Sequence, residues 1–187
     1  MIKPDEYFDI LVRTIGKIDL AEVSRAAQLI NTAWQKGKQI ICFGNGGSAL
    51  TAQHYITDWN KSVYLKTGRP FLGRCLVDNI GLVTAYANDL NYEDIFIAQM
   101  RPLLQPEDLV IGISGSGNSE NVLRAIEYGR KHGAITLGIV GYDGGKLKML
   151  AEHSVWIPVD NMQITEDLHL AFGHIVMFLL CQNNSVN

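Results

Sequence analysis

Gln39-Ile40-Ile41-Cys42-Phe43-Gly44-Asn45-Gly46-Gly47-Ser48 decides how this chain folds. An apolar run without period-two alternation reads as a strand buried on both faces. The glycine turn after it opens a helix at Ser48-Ala49-Leu50-Thr51-Ala52-Gln53-His54. The pattern recurs at Asp108-Leu109-Val110-Ile111-Gly112-Ile113, which runs into Ser114-Gly115-Ser116-Gly117-Asn118-Ser119. Two glycine–serine turns, each between a strand and a helix, point to a polar anionic ligand. Backbone N–H groups, hydroxyls and helix N-termini would hold it.

Outward from these turns, strands are predicted near 39–43, 73–77, 108–113, 135–140 and 154–158. Helices are predicted near 47–60, 79–87, 93–104, 119–132 and 144–151, with a last one from Ile164 to Cys181. Strands that alternate with helices imply an α/β chain with a parallel sheet covered on both faces. Residues 1–38 read as a helical pair, with Phe8, Ile10, Leu11, Ile15 and Ile18 at helical spacing and Asp19 as an N-cap. That pair carries no chemistry and is assigned to packing, including packing against another subunit.

The 187 residues suit a single domain over 1–187. A net charge of −3 without a long Lys/Arg cluster disfavours nucleic acid and anionic membranes as partners. The N-terminus lacks a basic region followed by an apolar stretch, and no run of about 18 apolar residues predicts a membrane span. The three cysteines, Cys42, Cys75 and Cys181, are odd in number and scattered. They fit reduced positions in a cytoplasmic protein.

In the first turn, Ser48 stands where an N-cap hydroxyl would stand, while Gly46 and Gly47 let a ligand approach the backbone. Gly44, Gly46 and Ala49 satisfy a dinucleotide-binding spacing formally. The acidic residue expected about 20 positions on is missing, so no nucleotide cofactor is expected. In the second turn, Ser114, Ser116 and Ser119 alternate with Gly115 and Gly117, a phosphate cradle without lysine. Neither turn ends in Gly-Lys-Ser/Thr, which excludes the ATP-binding loop of that type.

These residues resemble the sugar isomerase (SIS) domain, and within it the phosphoheptose isomerase family. The likeness rests on Gly44–Ser48 followed by Ala52-Gln53-His54, the Asn88-Asp89 pair, Ile113–Ser119, the Gly141-Tyr142-Asp143-Gly144-Gly145 turn, and His169 and His174 on the last helix. The resemblance implies a flavodoxin-like, three-layer α/β/α sandwich with a five-stranded parallel sheet. It also implies a homotetramer with active sites at subunit interfaces. The implied reaction converts sedoheptulose 7-phosphate to a seven-carbon aldose phosphate for lipopolysaccharide, capsule or other glycan heptose. Ser48, Ser114, Ser116 and Ser119 would hold phosphate or sugar hydroxyls, and Asn45 and Asp89 would line the sugar site.

Moving a carbonyl between C2 and C1 through an enediol calls for positioned acid–base groups. His54 and Asp58 are four apart on one helix face. Glu166 and His174 are eight apart on the last helix, within an arc of about 80°. By resemblance, His174 corresponds to the catalytic histidine, Asp58 replaces the catalytic glutamate and Glu166 replaces a glutamine. Lys61 is the nearest cation where the family has arginine. His54, Asp58, Glu166 and His174 also read as a two-histidine, two-carboxylate site for zinc or another divalent ion. His169 reads as structural, and His132 and His153 as surface residues. Two non-catalytic alternatives stay open: a replication-initiator-associating factor, against which His174 argues, and a sugar-phosphate sensor.

Overall fold

The computed structural model describes residues 3–183. Its centre is a parallel sheet of five strands: β1 (Ile40–Gly44), β2 (Gly73–Cys75), β3 (Leu109–Ser114), β4 (Ile135–Val140) and β5 (His153–Trp156). They run in the order β2-β1-β3-β4-β5. All three central strands are almost wholly buried. That follows from their continuous apolar runs, since both faces must be covered by helices. Side chains alternate between the layers. Ile40 and Cys42 point to one core, and Ile41 and Phe43 to the other.

The first core receives α2 (Leu20–Gln35), α3 (Gly47–Asp58) and α9 (Met162–Asn183). The second receives α6 (Ile95–Met100), α7 (Glu120–Lys131) and α8 (Gly145–Leu150), with α5 (Ile80–Asp89) packed along its margin. The three-layer sandwich is therefore the one expected. Asp19 caps α2, its Oδ1 accepting from the Ala21 amide at 2.8 Å. This helix is part of the core, through Ala26, Ile30 and Trp34. By contrast α1 (Pro4–Ile15) leaves Phe8, Val12 and Ile15 exposed. It is tied to α9 by the Tyr7 hydroxyl, which donates to Asp167 Oδ2 at 2.5 Å. That carboxylate pushes the Tyr7 hydroxyl up to about 12.

The helix predicted near 47–60 runs further than its sequence suggests. After Asp58 it passes through a π turn at Trp59–Val63 and continues as α4 (Tyr64–Thr67), stopping at Gly68 with φ +69°. The wide turn lets Trp59 enter the core, where its Nε1 donates to the Gly173 carbonyl at 3.0 Å. Such turns are common beside functional residues, and Asp58 immediately precedes this one. The segment predicted as one helix over 93–104 is instead a 3₁₀ turn, Tyr92–Asp94, followed by the short α6.

Among the described residues, α9 is the one helix long and apolar enough to cross a membrane. Its stripe of Ile164, Leu168, Phe172, Val176 and Leu180 is buried in the first core. That stripe accounts for part of its apolar character, while Ile175 and Phe178 stay exposed. All three cysteines are free thiols.

Candidate active site

Because β1 and β3 are adjacent while their helices cover opposite faces, the two turns open at the point where strand order reverses. Open α/β sheets form their ligand crevices there. The first turn is tight: a side chain at Gly44 would meet the Ile113 carbonyl at 2.8 Å. Gly46, at φ +53°, is the N-cap of α3, and no side chain caps that helix. Ser48 is therefore inside the first turn and buried, not at the cap where the sequence placed it. The first-turn N–H groups of α3 face the same opening.

In the second turn, Ser119 is the N-cap of α7 but makes no capping bond. Its hydroxyl lies 3.2 Å from that of Ser114 instead. Ser114 is buried at the end of β3, whereas Ser116 is exposed and accepts from the Asn118 amide at 3.2 Å. The 141–145 turn locks this loop from behind. The Gly141 amide donates to the Gly115 carbonyl at 2.9 Å, and the Leu147 amide to the Gly117 carbonyl at 2.9 Å. The second turn is thus held in place by backbone hydrogen bonds, with the Ser114 and Ser119 hydroxyls side by side at the end of β3.

Around these turns stand three further residues named from sequence. Asn45 is half-buried, with its amide paired to Asn121. Asp89 is exposed at the end of α5, its Oδ1 accepting from Asn88 at 2.9 Å. Glu166, on α9, packs its carboxylate over the backbone of Gly47 so closely that any side chain there would run into it.

A separate cluster forms where α3 and α9 cross the other end of that layer. His54 Nε2 is 3.2 Å from Asp58 Oδ2. His174 Nε2 is 2.9 Å from His54 Nε2 and 3.7 Å from the same carboxylate oxygen. The packing beneath sets this meeting. Tyr55 donates to the His169 carbonyl, and a side chain at Gly173 would collide with the Tyr55 ring. Both imidazoles remain about half exposed, so the cluster faces outward.

Ligand atoms of His54, Asp58 and His174 all lie within 4.8 Å of one another. Tetrahedral zinc with bonds of about 2.0–2.1 Å separates its ligands by about 3.3 Å, so this donor set fits a three-ligand site with one open position. Glu166 is not part of it. The expected four-residue set is corrected to three, because the Glu166 carboxylate is at the Gly47 end of α9, two turns from His174.

The imidazole cluster stands further along α3 than the first turn, with His54 six residues of helix, about 9 Å, beyond Ser48. From Ser48 to Asp58 is ten residues of helix, about 15 Å. His169, read as structural, is fully buried, and neither ring nitrogen has a hydrogen-bond partner. Burial pushes its imidazole down to about 4, with the Val140 backbone acting the other way. Sequence reasoning missed Asn121 and Tyr92, both bonded to Asn45. Neither belongs to a glycine turn, and nothing in the periodicity marks them.

The model of the SIS domain family matches residues 6–141. The phosphoheptose isomerase of Chlorobium phaeobacteroides is 37% identical over 172 residues, covering 91% of this chain and 76% of the relative. That of Aquifex aeolicus is 35% identical over 177 residues, covering 91% and 92%. Among solved structures, the phosphoheptose isomerase of Neisseria gonorrhoeae superposes with a TM-score of 0.85 at 26% identity, over 94% and 95% of the two chains. The one from Francisella tularensis gives 0.87 at 23% identity, over 95% and 96%, which is a likeness of fold.

Proposed function

The chain belongs to the SIS-domain family, alongside the phosphoheptose isomerases, and on that premise we propose that it is a cytosolic aldose–ketose isomerase of sugar phosphates. Sedoheptulose 7-phosphate is the substrate of choice, and the product is the corresponding seven-carbon aldose phosphate. The observation that carries this reading is the pairing of a hydroxyl-lined anion pocket with an outward-facing His–Asp–His cluster.

The two ends of the reaction divide between them. Ser48, Ser114, Ser116 and Ser119, with the amides of Gly46, Gly47 and Gly115, hold the phosphate. Asp58 and His174 shuttle the proton between C1 and C2 and between the two oxygens, each such group being worth roughly 10²–10⁴ in rate. An enediol is the intermediate that this proton traffic requires. Glu166 and Asp89 border the sugar.

His54 and Asp58 stand about 9 and about 15 Å of helix rise beyond Ser48, so the turns and the reacting groups occupy different levels of α3. In our reading the cluster of one copy serves the turns of another. The exposed Phe8, Val12 and Ile15 of α1, and Ile175 and Phe178 of α9, supply apolar surface for such an assembly, a tetramer in our reading. As an alternative to proton transfer by Asp58 and His174 themselves, His54, Asp58 and His174 would hold zinc, which would polarise the substrate oxygen.

The test is to incubate the purified protein with sedoheptulose 7-phosphate in deuterated water. Aldose phosphate formation with deuterium at the exchanging carbon is expected, and His174→Ala should abolish both. Tight binding with neither turnover nor exchange would make the protein a sensor instead.

A further inference from the structure

Three segments of the candidate site are joined by one polar knot outside the reacting groups. Asn45, in the first turn, donates from Nδ2 to Asn121 Oδ1 at 2.8 Å. Asn121 returns the bond, Nδ2 to Asn45 Oδ1, at 2.9 Å. The Tyr92 hydroxyl donates to that same Asn45 Oδ1 at 2.9 Å. Asn121 Oδ1 also accepts from the Val122 amide at 2.9 Å, inside the first turn of α7.

Every polar atom of the Asn45 side chain is thereby engaged. Asn121 is 2% exposed, so its amide has no access to bulk water, and leaving it unpaired would be costly. The segment that carries Tyr92 is itself tied to α7. Arg124 reaches Asp94 Oδ1 at 3.2 Å and Glu120 Oε1 at 2.9 Å. Asn91 donates to Asp94 Oδ2 at 2.8 Å.

We infer that Asn121 and Tyr92 are positioning residues that act through Asn45, setting the first phosphate turn against the second. Asn45 then serves as the fastener of its loop through its side chain. The geometry explains why two loops at neighbouring strand ends, whose helices cover opposite faces of the sheet, keep a fixed spacing. An amide pair closes in only one register, so it sets both distance and orientation. Tyr92 brings in the chain just after Asp89, so that all three substrate-facing segments share one reference point.

The kinetic part of this inference rests on the isomerase reading; its structural part does not. The experiment therefore begins with hydrogen exchange on the ligand-free, full-length protein. The Ala49 and Leu50 amides are the reporters, since they bond to the carbonyls of Asn45 and Gly46. Tyr92→Phe removes one hydroxyl from a half-exposed ring and should leave the fold intact. We expect exchange at Ala49 and Leu50 to rise between about 2- and 10-fold, the range for one lost hydrogen bond. Asn45→Ala should raise it further, and adding Tyr92→Phe to Asn45→Ala should change nothing more. With sugar phosphate, KM in Tyr92→Phe should rise more than kcat falls, as expected for a loosened binding loop. Unchanged exchange in Tyr92→Phe, or additive effects of the two substitutions, would overturn the inference whether or not the protein turns over any sugar.

Discussion

His54 Nε2 and His174 Nε2, 120 residues apart in the chain, approach to 2.9 Å. At that distance one ring nitrogen donates a hydrogen and the other accepts it. Asp58 Oδ2, 3.2 Å from the first and 3.7 Å from the second, completes a triangle of donors. A divalent cation taken up by these three donors would displace that shared hydrogen.

Zinc binding follows from that triangle. One ion per chain is expected by competition titration against a chelator. His54→Ala and Asp58→Asn should each weaken binding by more than the 10- to 100-fold typical of a residue behind the ligands. Glu166→Gln should leave the affinity within a few-fold of wild type, because its carboxylate lies at Gly47. A large loss in Glu166→Gln would restore it to the ligand set.

If turns and cluster serve each other only between copies, two inactive variants should complement. His174→Ala and a Ser114→Ala/Ser119→Ala variant, unfolded together and refolded as a mixture, are expected to recover a measurable fraction of activity. Each parent refolded alone should stay inactive. Failure of complementation, with mixed oligomers demonstrated by native mass spectrometry, would confine the site to one chain.

Gly47→Ala drives a methyl group into the Glu166 carboxylate. The carboxylate is the far end of a flexible, half-buried side chain and can swing aside, so the cost should stay below about 1 kcal/mol, read as a slightly lowered urea midpoint. Glu166→Ala should be mild by itself and should rescue the loss in the double variant, giving a coupling of about 0.5 kcal/mol. Additive losses would show that the two residues do not press on each other.

Acid should weaken the fold through His169. Its imidazole titrates near 4 when folded because burial disfavours the charged ring, against about 6.5 in an unfolded chain. Between these values the unfolded chain binds a proton that the folded one excludes, so stability falls as pH drops from about 6.5 to 4. The full effect of this residue is about 3 kcal/mol. Urea midpoints across that range should decline more steeply for wild type than for His169→Gln. Parallel profiles would remove His169 as the source.

Much of the architecture was already legible along the chain. Gln39–Phe43 and Asp108–Ile113 announce buried parallel strands because apolar continuity and the glycines after them are local properties. The Asp19 cap is local in the same sense. Residues 61–67 were not legible as helix: the π turn carries Trp59 to the Gly173 carbonyl, and that partner is over a hundred residues away. Ser48 was misplaced by two positions because Gly46 takes the cap through its backbone alone.

By itself the sequence determined the order of strands, turns and helices, and the side-chain types offered at each turn. Backbone preference and hydrophobic periodicity act over a few residues, and need no knowledge of the rest. Only the tertiary structure decided that His174 meets His54 and Asp58 while Glu166 leaves them for Gly47. Spacing along α9 put both residues on nearby faces, but the packing of Tyr55 against Gly173 set the register between helices, and with it which side chains touch.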